Sequence, residues 1–195
     1  MTKAEKTRQF IIEKAAPIFN TKGMAGTSMS DIMEATKLAK GSMYVHFENK
    51  EDLCNAVVDY NLDSLSKKIS AAVNKQKTAK GKLFAYFDFL SDPLNPPVHG
   101  GCPMLNFGME ADDTNPVIAQ KVNKVLQISI KGVESVIQQG IADEEFKADW
   151  NASEFGVKSI AMIQGGTLMS RVSGSNAQLQ VIIELLKREI EEHIK

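Results

Sequence analysis

Ala39-Lys40-Gly41-Ser42-Met43-Tyr44-Val45-His46-Phe47-Glu48-Asn49-Lys50-Glu51-Asp52-Leu53 is the stretch on which the reading of this chain turns. Wound at about 100° per residue, Met43, Phe47 and Ala39 fall within about 40° of one inward line. Gly41, Ser42 and Val45 then face outward, with Tyr44 and His46 on the two flanks. A helix lying in the major groove of DNA needs this division. Small side chains go toward base edges, and long donors go toward the phosphates of the groove walls. Lys40 and Lys50 add positive charge at both ends. The same pattern also suits a small helix packed on the surface of an all-helical protein, with Tyr44 and His46 as amphipathic residues.

Working outward, the neighbouring segments also read as helices. Ile11, Ala15, Ile18 and Phe19 recur at helical spacing before Gly23, a C-terminal stop signal. Ser28 with Asp31 three residues on forms a capping-box-like start for a second helix. The spacing places the short third helix over Lys40–Phe47, after about three residues of turn. Asn49 caps a fourth, with Glu51 and Asp52 in its first turn where negative charge is favoured. Further helices are expected over about Thr78–Leu90, from Cys102-Pro103, from Asn115-Pro116 to Gly140, over Ala152–Val172 and over Asn176–Ile194. The stretch Ser91–Gly101 holds Pro93, Pro96, Pro97, Gly100 and Gly101 and reads as a loop. The expectation is an all-α fold of about nine helices. Residues 1–50 would form a three-helix helix-turn-helix domain, and residues 51–195 a second helical domain.

Charge narrows the function. The 195 residues carry 23 Lys and Arg against 24 Asp and Glu. That balance excludes a general nucleic-acid coating protein, which needs a large basic excess. Residues 1–50 nevertheless hold 8 basic against 5 acidic side chains, so one small basic surface remains available. Two cysteines make no disulfide framework. The longest run without Asp, Glu, Lys or Arg is the 17 residues Pro93–Met109, and its four prolines bar a membrane-spanning helix. The expected location is cytoplasmic, without a membrane partner.

The run Lys-Gly-Ser-x-Tyr-x-His-Phe-x-Asn-Lys-Glu-x-Leu, with Thr27-Ser28-Met29-Ser30-Asp31-Ile32 before it, resembles the DNA-binding domain of TetR-type regulators, over about residues 8–60. The resemblance implies a homodimeric all-helical repressor that binds a double-stranded DNA operator. It implies that Thr27 and Ser28 start a helix that touches phosphate. It likewise implies that Lys40, Gly41 and Ser42 open the recognition helix, that Tyr44 and His46 contact the DNA backbone, and that Lys50 opens the fourth helix near a phosphate. Val45, outward on that helix, is placed to read a base. Two departures stand out. Many members have Gly where this chain has Lys37, and Ser or Thr where it has Ala39.

The resemblance makes residues 51–195 an effector-binding and dimerisation domain, the part that receives the signal. Leu179, Ile183, Leu186, Ile190 and Ile194 line one face of the last helix. The helix before it carries Ile160, Ile163, Leu168 and Val172 around Gly165-Gly166. These faces are buried either within one chain or against a second copy. The family pairs its last two helices in a four-helix bundle, which favours Ile163, Gly165, Gly166, Ile183, Leu186 and Ile190 as a dimer interface. Phe84, Phe87, Phe107 and Met162 are candidates to line a small-molecule effector cavity.

Gly100-Gly101-Cys102-Pro103-Met104-Leu105-Asn106-Phe107-Gly108-Met109-Glu110 is the most specific run in this region. Cys102, Asn106 and Glu110 lie four apart and share a helical face. They could supply polar or reactive effector contacts. Cys102 at a helix start reads either as a sensing thiol or as a small residue closing a loop-to-helix junction. The run also resembles a Gly-Cys-Pro-x-x-Asn-x-x-x-Glu stretch in one branch of TetR-type regulators. No cofactor and no metal site are expected, since one Cys with His99 is too small a ligand set. The sequence thus points to a ligand-responsive repressor, with a cysteine-based electrophile sensor as the alternative. A helical enzyme or a non-DNA-binding interaction module is less well supported, because neither a catalytic constellation nor a phosphate loop is present.

Overall fold

The computed structural model describes all 195 residues. It contains nine helices: α1 (Lys3–Gly26), α2 (Met29–Thr36), α3 (Lys40–Tyr44), α4 (Lys50–Val73), α5 (Ala79–Phe89), α6 (Pro103–Ala111), α7 (Pro116–Ala142), α8 (Ala152–Ser173) and α9 (Ala177–Glu192). The all-α fold with an N-terminal helix-turn-helix is therefore as the sequence indicates.

Local chemistry sets most of the boundaries. Thr2 and Ser28 each cap a helix in a reciprocal box, with Glu5 and Asp31 as partners. The hydroxyl of Thr78 accepts from the Gly81 N–H at the start of α5, and the Asn151 amide oxygen accepts from Glu154 at the start of α8. Pro103 sits at the first helical position of α6, where its missing N–H costs nothing. Gly174 ends α8 in the left-handed conformation.

Two compact units result. The first comprises residues 1–65 and 97–123, the second residues 66–96 and 124–195. The first unit thus takes in most of α4, all of α6 and the opening turns of α7, beyond the three-helix domain expected over residues 1–50. Within it, Ile11, Ile12, Ala15 and Phe19 of α1 are buried, as are Ile32, Met43, Phe47, Leu53 and Val57. The Arg8 guanidinium lies 4.6 Å from the centre of the Phe47 ring, and the buried Asn61 amide of α4 donates to the Ala16 carbonyl of α1. The second unit has its own core, which includes Leu83, Phe87, Ile137, Phe146, Phe155, Ile163, Leu179 and Ile183. Phe146 and Trp150 meet edge to face, and Trp150 stacks on His193. The carboxylate of Glu145 accepts from the N–H groups of Ala79 and Lys80, both at 2.7 Å, and so caps α5 from far along the chain.

The third helix is shorter than its spacing suggests. It stops at Tyr44 rather than Phe47. The Phe47 N–H still reaches the Met43 carbonyl at 3.1 Å, so both side chains stay buried below one continuing turn. Ala39 is exposed rather than inward, because as the N-cap residue it is extended and lies outside the helical period. It makes no capping bond, and just before it Lys37 is held in the left-handed region at φ 58°.

Both departures noted in the sequence are thus sites of local strain or loss. Ala39→Ser is expected to raise stability by about 1 kcal/mol through the missing cap. Lys37→Gly is expected to add about 0.5–1 kcal/mol, since relief of the left-handed side chain outweighs the entropy cost of glycine. Denaturant unfolding with an unchanged slope measures both.

Candidate DNA-binding surface and effector cavity

The second and third helices present the outward face that the sequence describes. Tyr44 is 44% and Val45 78% exposed, over a fully buried Met43 and Phe47. Gly41 is open, with no atom within 4 Å of a side chain built there. Lys40 is exposed, with its ammonium 6.0 Å from the Tyr44 ring centre, and Ser42 and His46 are half-buried. The Thr36 hydroxyl lies 3.9 Å from the Met43 sulfur and holds the two helices at their turn.

Two residues sit differently from expectation. Thr27 is 1% exposed, and its hydroxyl donates to the Gly23 carbonyl at 2.7 Å. It is committed to the chain's own backbone and does not face solvent. Lys50 directs its ammonium to the Ala25 carbonyl at 3.3 Å, so it braces the end of α1 from the start of α4. Ser28 remains exposed, with its hydroxyl shared with Asp31. Lys22 pairs with Asp31 at 2.7 Å. That ammonium, with the Ser28 N–H and hydroxyl, holds the Asp31 carboxyl well below the usual carboxylate range.

The Cys102–Glu110 run serves α1. At Gly23 the backbone leaves helical geometry at φ 79° and ψ 172°, which frees the N–H groups that follow. Glu110 takes two of them: Met24 N–H to Oε2 and Ala25 N–H to Oε1, both at 2.6 Å. The φ angle at residue 23 favours glycine, and a side chain there would also displace the Glu110 carboxylate, whose Oε2 would lie 2.7 Å from its Cβ. Asn106 donates to the Asn20 carbonyl at 2.8 Å and to the Gly100 carbonyl at 3.1 Å. Asn20, itself buried, donates to the carbonyls of His99 and Gly101. The shared face of Cys102, Asn106 and Glu110 is therefore real, but Asn106 and Glu110 use it to fasten α6 to α1. Phe107 is fully buried.

The expected effector residues are divided between the two units. Cys102, Asn106, Phe107 and Glu110 belong to the first unit, and Phe84, Phe87 and Met162 to the second. Phe87 is core, and Phe84 and Met162 pack on that core. The cavity in the second unit is another one, of about 220 Å³, between the end of α4, the start of α5 and the middle of α7. Ile69, Val73, Leu83, Tyr86, Val133 and Val136 supply its apolar walls. Periodicity could not find it, because its wall residues read as ordinary core positions.

Of the residues expected to bind a second copy, most are covered by their own chain. Ile163, Ile183, Leu186 and Ile190 are buried within their own chain, where α8 packs on α9. A side chain at Gly166 would meet Leu179 at 2.7 Å and Ile182 at 2.9 Å, so this glycine permits the intrachain α8–α9 contact. Gly165, by contrast, faces open space. Val157, Leu168, Met169 and Val172 of α8 and Val181 and Leu185 of α9 remain exposed.

Comparison with known proteins agrees with this geometry. The family model described as bacterial regulatory proteins, tetR family, matches residues 11–57. The tetracyclin repressor-like C-terminal domain matches residues 79–186. The chain belongs to the TetR family of transcriptional regulators. A TetR-family regulator from Cytophaga hutchinsonii is 36% identical with a TM-score of 0.93, over 100% of this chain and 98% of that one. A TetR transcriptional regulator from Chloroflexus aurantiacus J-10-FL is 33% identical, with the same coverage and TM-score. The HTH-type transcriptional repressor DhaR of Mycobacterium sp. (strain GP1) is 24% identical over 92% of this chain and 89% of its own length. TetR-family members are DNA-binding regulators, not enzymes. No helix of this chain is long and apolar enough to cross a membrane.

The cysteine-sensor alternative is not favoured. Cys102 makes no capping bond at the start of α6, beside a helix whose polar groups are already committed to α1. Cys54 is buried in α4, and its thiol is pushed up to about 11, by burial first and then by the charge of Glu110. It stays a protonated thiol at neutral pH. Because its folded pKa is raised, its contribution to stability is whole below about 9 and is lost as pH rises toward 11. Iodoacetamide at pH 8 should leave Cys54 unmodified in the native chain and label it in denaturant, as read by peptide mass mapping.

The Glu110 contact gives a second test. Glu110→Ala strands two N–H groups at the end of α1 and should cost about 2 kcal/mol, discounted for partial exposure. Glu110→Gln keeps one acceptor and should cost roughly half as much. Operator affinity should fall in the same order, because α2 follows directly from the segment that Glu110 holds.

Proposed function

We propose that two copies of this chain bind a roughly palindromic operator through α3 and release it when a small molecule occupies the second unit. The observation that carries the DNA reading is the α3 surface itself. Gly41, Tyr44 and Val45 stand outward on a pedestal of buried Met43 and Phe47. Tyr44, Lys40 and His46 then meet phosphates, Ser28 meets a phosphate at the start of α2, and Ser42 and Val45 face base edges. Val45 suits a thymine methyl group. Lys50 acts chiefly by bracing α1.

Dimerisation in this reading uses the exposed stripe Val157–Gly165–Leu168–Val172 of α8 with Val181 and Leu185 of α9. Val172 is 81% exposed, and a contiguous apolar stripe of this kind marks an interface. The buried Ile183 and Leu186 support the stripe from below. Induction requires an effector that binds the DNA-free form better than the bound form. Helices α4 and α7 each contribute residues to both units, so they are the route by which occupancy of the cavity reaches α1 and α3.

The test uses fluorescence anisotropy with the DNA upstream of the chain's own gene. Tyr44→Ala should weaken binding to all sequences about fivefold, the value of one ordinary phosphate hydrogen bond. Val45→Ala should change preference at one base position in each half-site. In sedimentation, Leu168→Glu with Val172→Glu should give a folded monomer, whereas Leu186→Glu should unfold the chain. Unchanged operator affinity of Tyr44→Ala would defeat the docking, and a dimeric Leu168→Glu/Val172→Glu protein would defeat the interface.

A further inference from the structure

The cavity of the second unit has a chemical bias that its apolar walls conceal. Of the residues that line it, Lys82 is the one with a charge. Ser66, Ser70, Asn74 and Ser129 add neutral polar groups around it. The chain from Ser64 to Phe87 supplies the end of α4 and most of α5; it carries six lysines between Asp63 and Asp88, with the Glu145 carboxylate on its Ala79 and Lys80 N–H groups. Lys67, Lys68, Lys75 and Lys77 are all exposed along that segment. Lys80 is engaged elsewhere, with Glu191 at 3.2 Å and the Phe84 ring. The acidic group nearest in sequence on the α7 wall, Glu134, turns toward Gly156 of α8 and accepts from Gln138. No carboxylate lines the cavity beside Lys82.

An apolar cavity whose lining holds one cationic side chain and no carboxylate discriminates by sign. A cationic ligand meets the like charge of Lys82 and is rejected. A neutral ligand gains only the apolar walls. An anionic ligand gains the same walls together with a charge-assisted hydrogen bond, which is stronger than a neutral one. Resting on the reading that the effector occupies this cavity, we infer that the effector is an anionic amphiphile: a short hydrocarbon chain or single ring bearing one carboxylate. Its apolar part lies against Ile69, Val73, Leu83 and Val133, and its carboxylate meets Lys82.

The experiment titrates the full-length dimer by calorimetry with octanoate, octanol and octylamine, and with phenylpropionate, phenylpropanol and phenylpropylamine. In at least one series the acid should bind about tenfold more tightly than the alcohol, and the amine should not bind measurably. Lys82→Met, which keeps the apolar stem, should bring the acid down to the affinity of the alcohol and leave the alcohol unchanged. Gly132→Trp, placed on the open wall of α7, should abolish binding of all the compounds. Equal affinity of acid and alcohol, an acid preference that survives in Lys82→Met, or no binding in either series would overturn the inference. Operator release is read separately by anisotropy. An acid preference that depends on Lys82 but leaves the operator bound upholds the ligand class and refutes the release mechanism.

Discussion

Two hydrogen bonds at the broken end of α1 set the frame of the first unit. A helix that stops at Gly23 and resumes at Met24 leaves N–H groups without intrahelical partners, in a place where Met24 is half-buried. Glu110 resolves this with one carboxylate, whose two oxygens each take one N–H. The negative charge also suits the positive end of the short helical turn that follows. Lys50 then takes the Ala25 carbonyl, and Thr27 takes the carbonyl of Gly23 itself. Segments from α4 and α6 thus meet the same few residues from which α2 and α3 depart. The orientation of the DNA-reading helix depends on this junction more than on α3, which is a single turn without a side-chain cap.

The second unit uses the same device. Glu145, in the turn after α7, accepts from the two N–H groups that open α5. In both units a glutamate far along the chain caps a helix end that local sequence leaves short of partners. At α5 the Thr78 hydroxyl satisfies one group, and Glu145 satisfies two more. The cost of leaving such groups buried and unpaired explains why a long-range carboxylate is retained at each junction.

These junctions also show where sequence reading runs out. The helices and their starts were legible because caps, prolines and apolar period act within a few residues: Ser28 with Asp31, Pro103, Asn115-Pro116. The common face of Cys102, Asn106 and Glu110 was legible for the same reason. Its partner was not, because the α1 backbone lies some 86 residues away and main-chain groups carry no residue signature. The α8 and α9 faces were legible only in part. Each helix has apolar residues on two sides, Ile183 and Leu186 on one and Val181 and Leu185 on the other. Period alone shows that both exist, not which one its own chain covers. The tight fit at Gly166 against Leu179 decides it. Thr27 shows the same limit at one residue, since a threonine beside a helix start suits either a phosphate or a backbone carbonyl.

The cavity divides affinity from selectivity. Its walls are aliphatic, and burial of apolar surface at roughly 25 cal/mol per Å² supplies most of what any ligand gains there. That term is blind to charge. Lys82 is half-buried and keeps access to water when the cavity is empty, so its ammonium costs the fold little. The same access would screen the proposed pair with an anion and keep the gain modest. A modest gain is sufficient for selection, because specificity is a difference between ligands and not a sum of contacts. In the proposed reading, an apolar cavity thus takes its preference in charge from the one lysine in its wall.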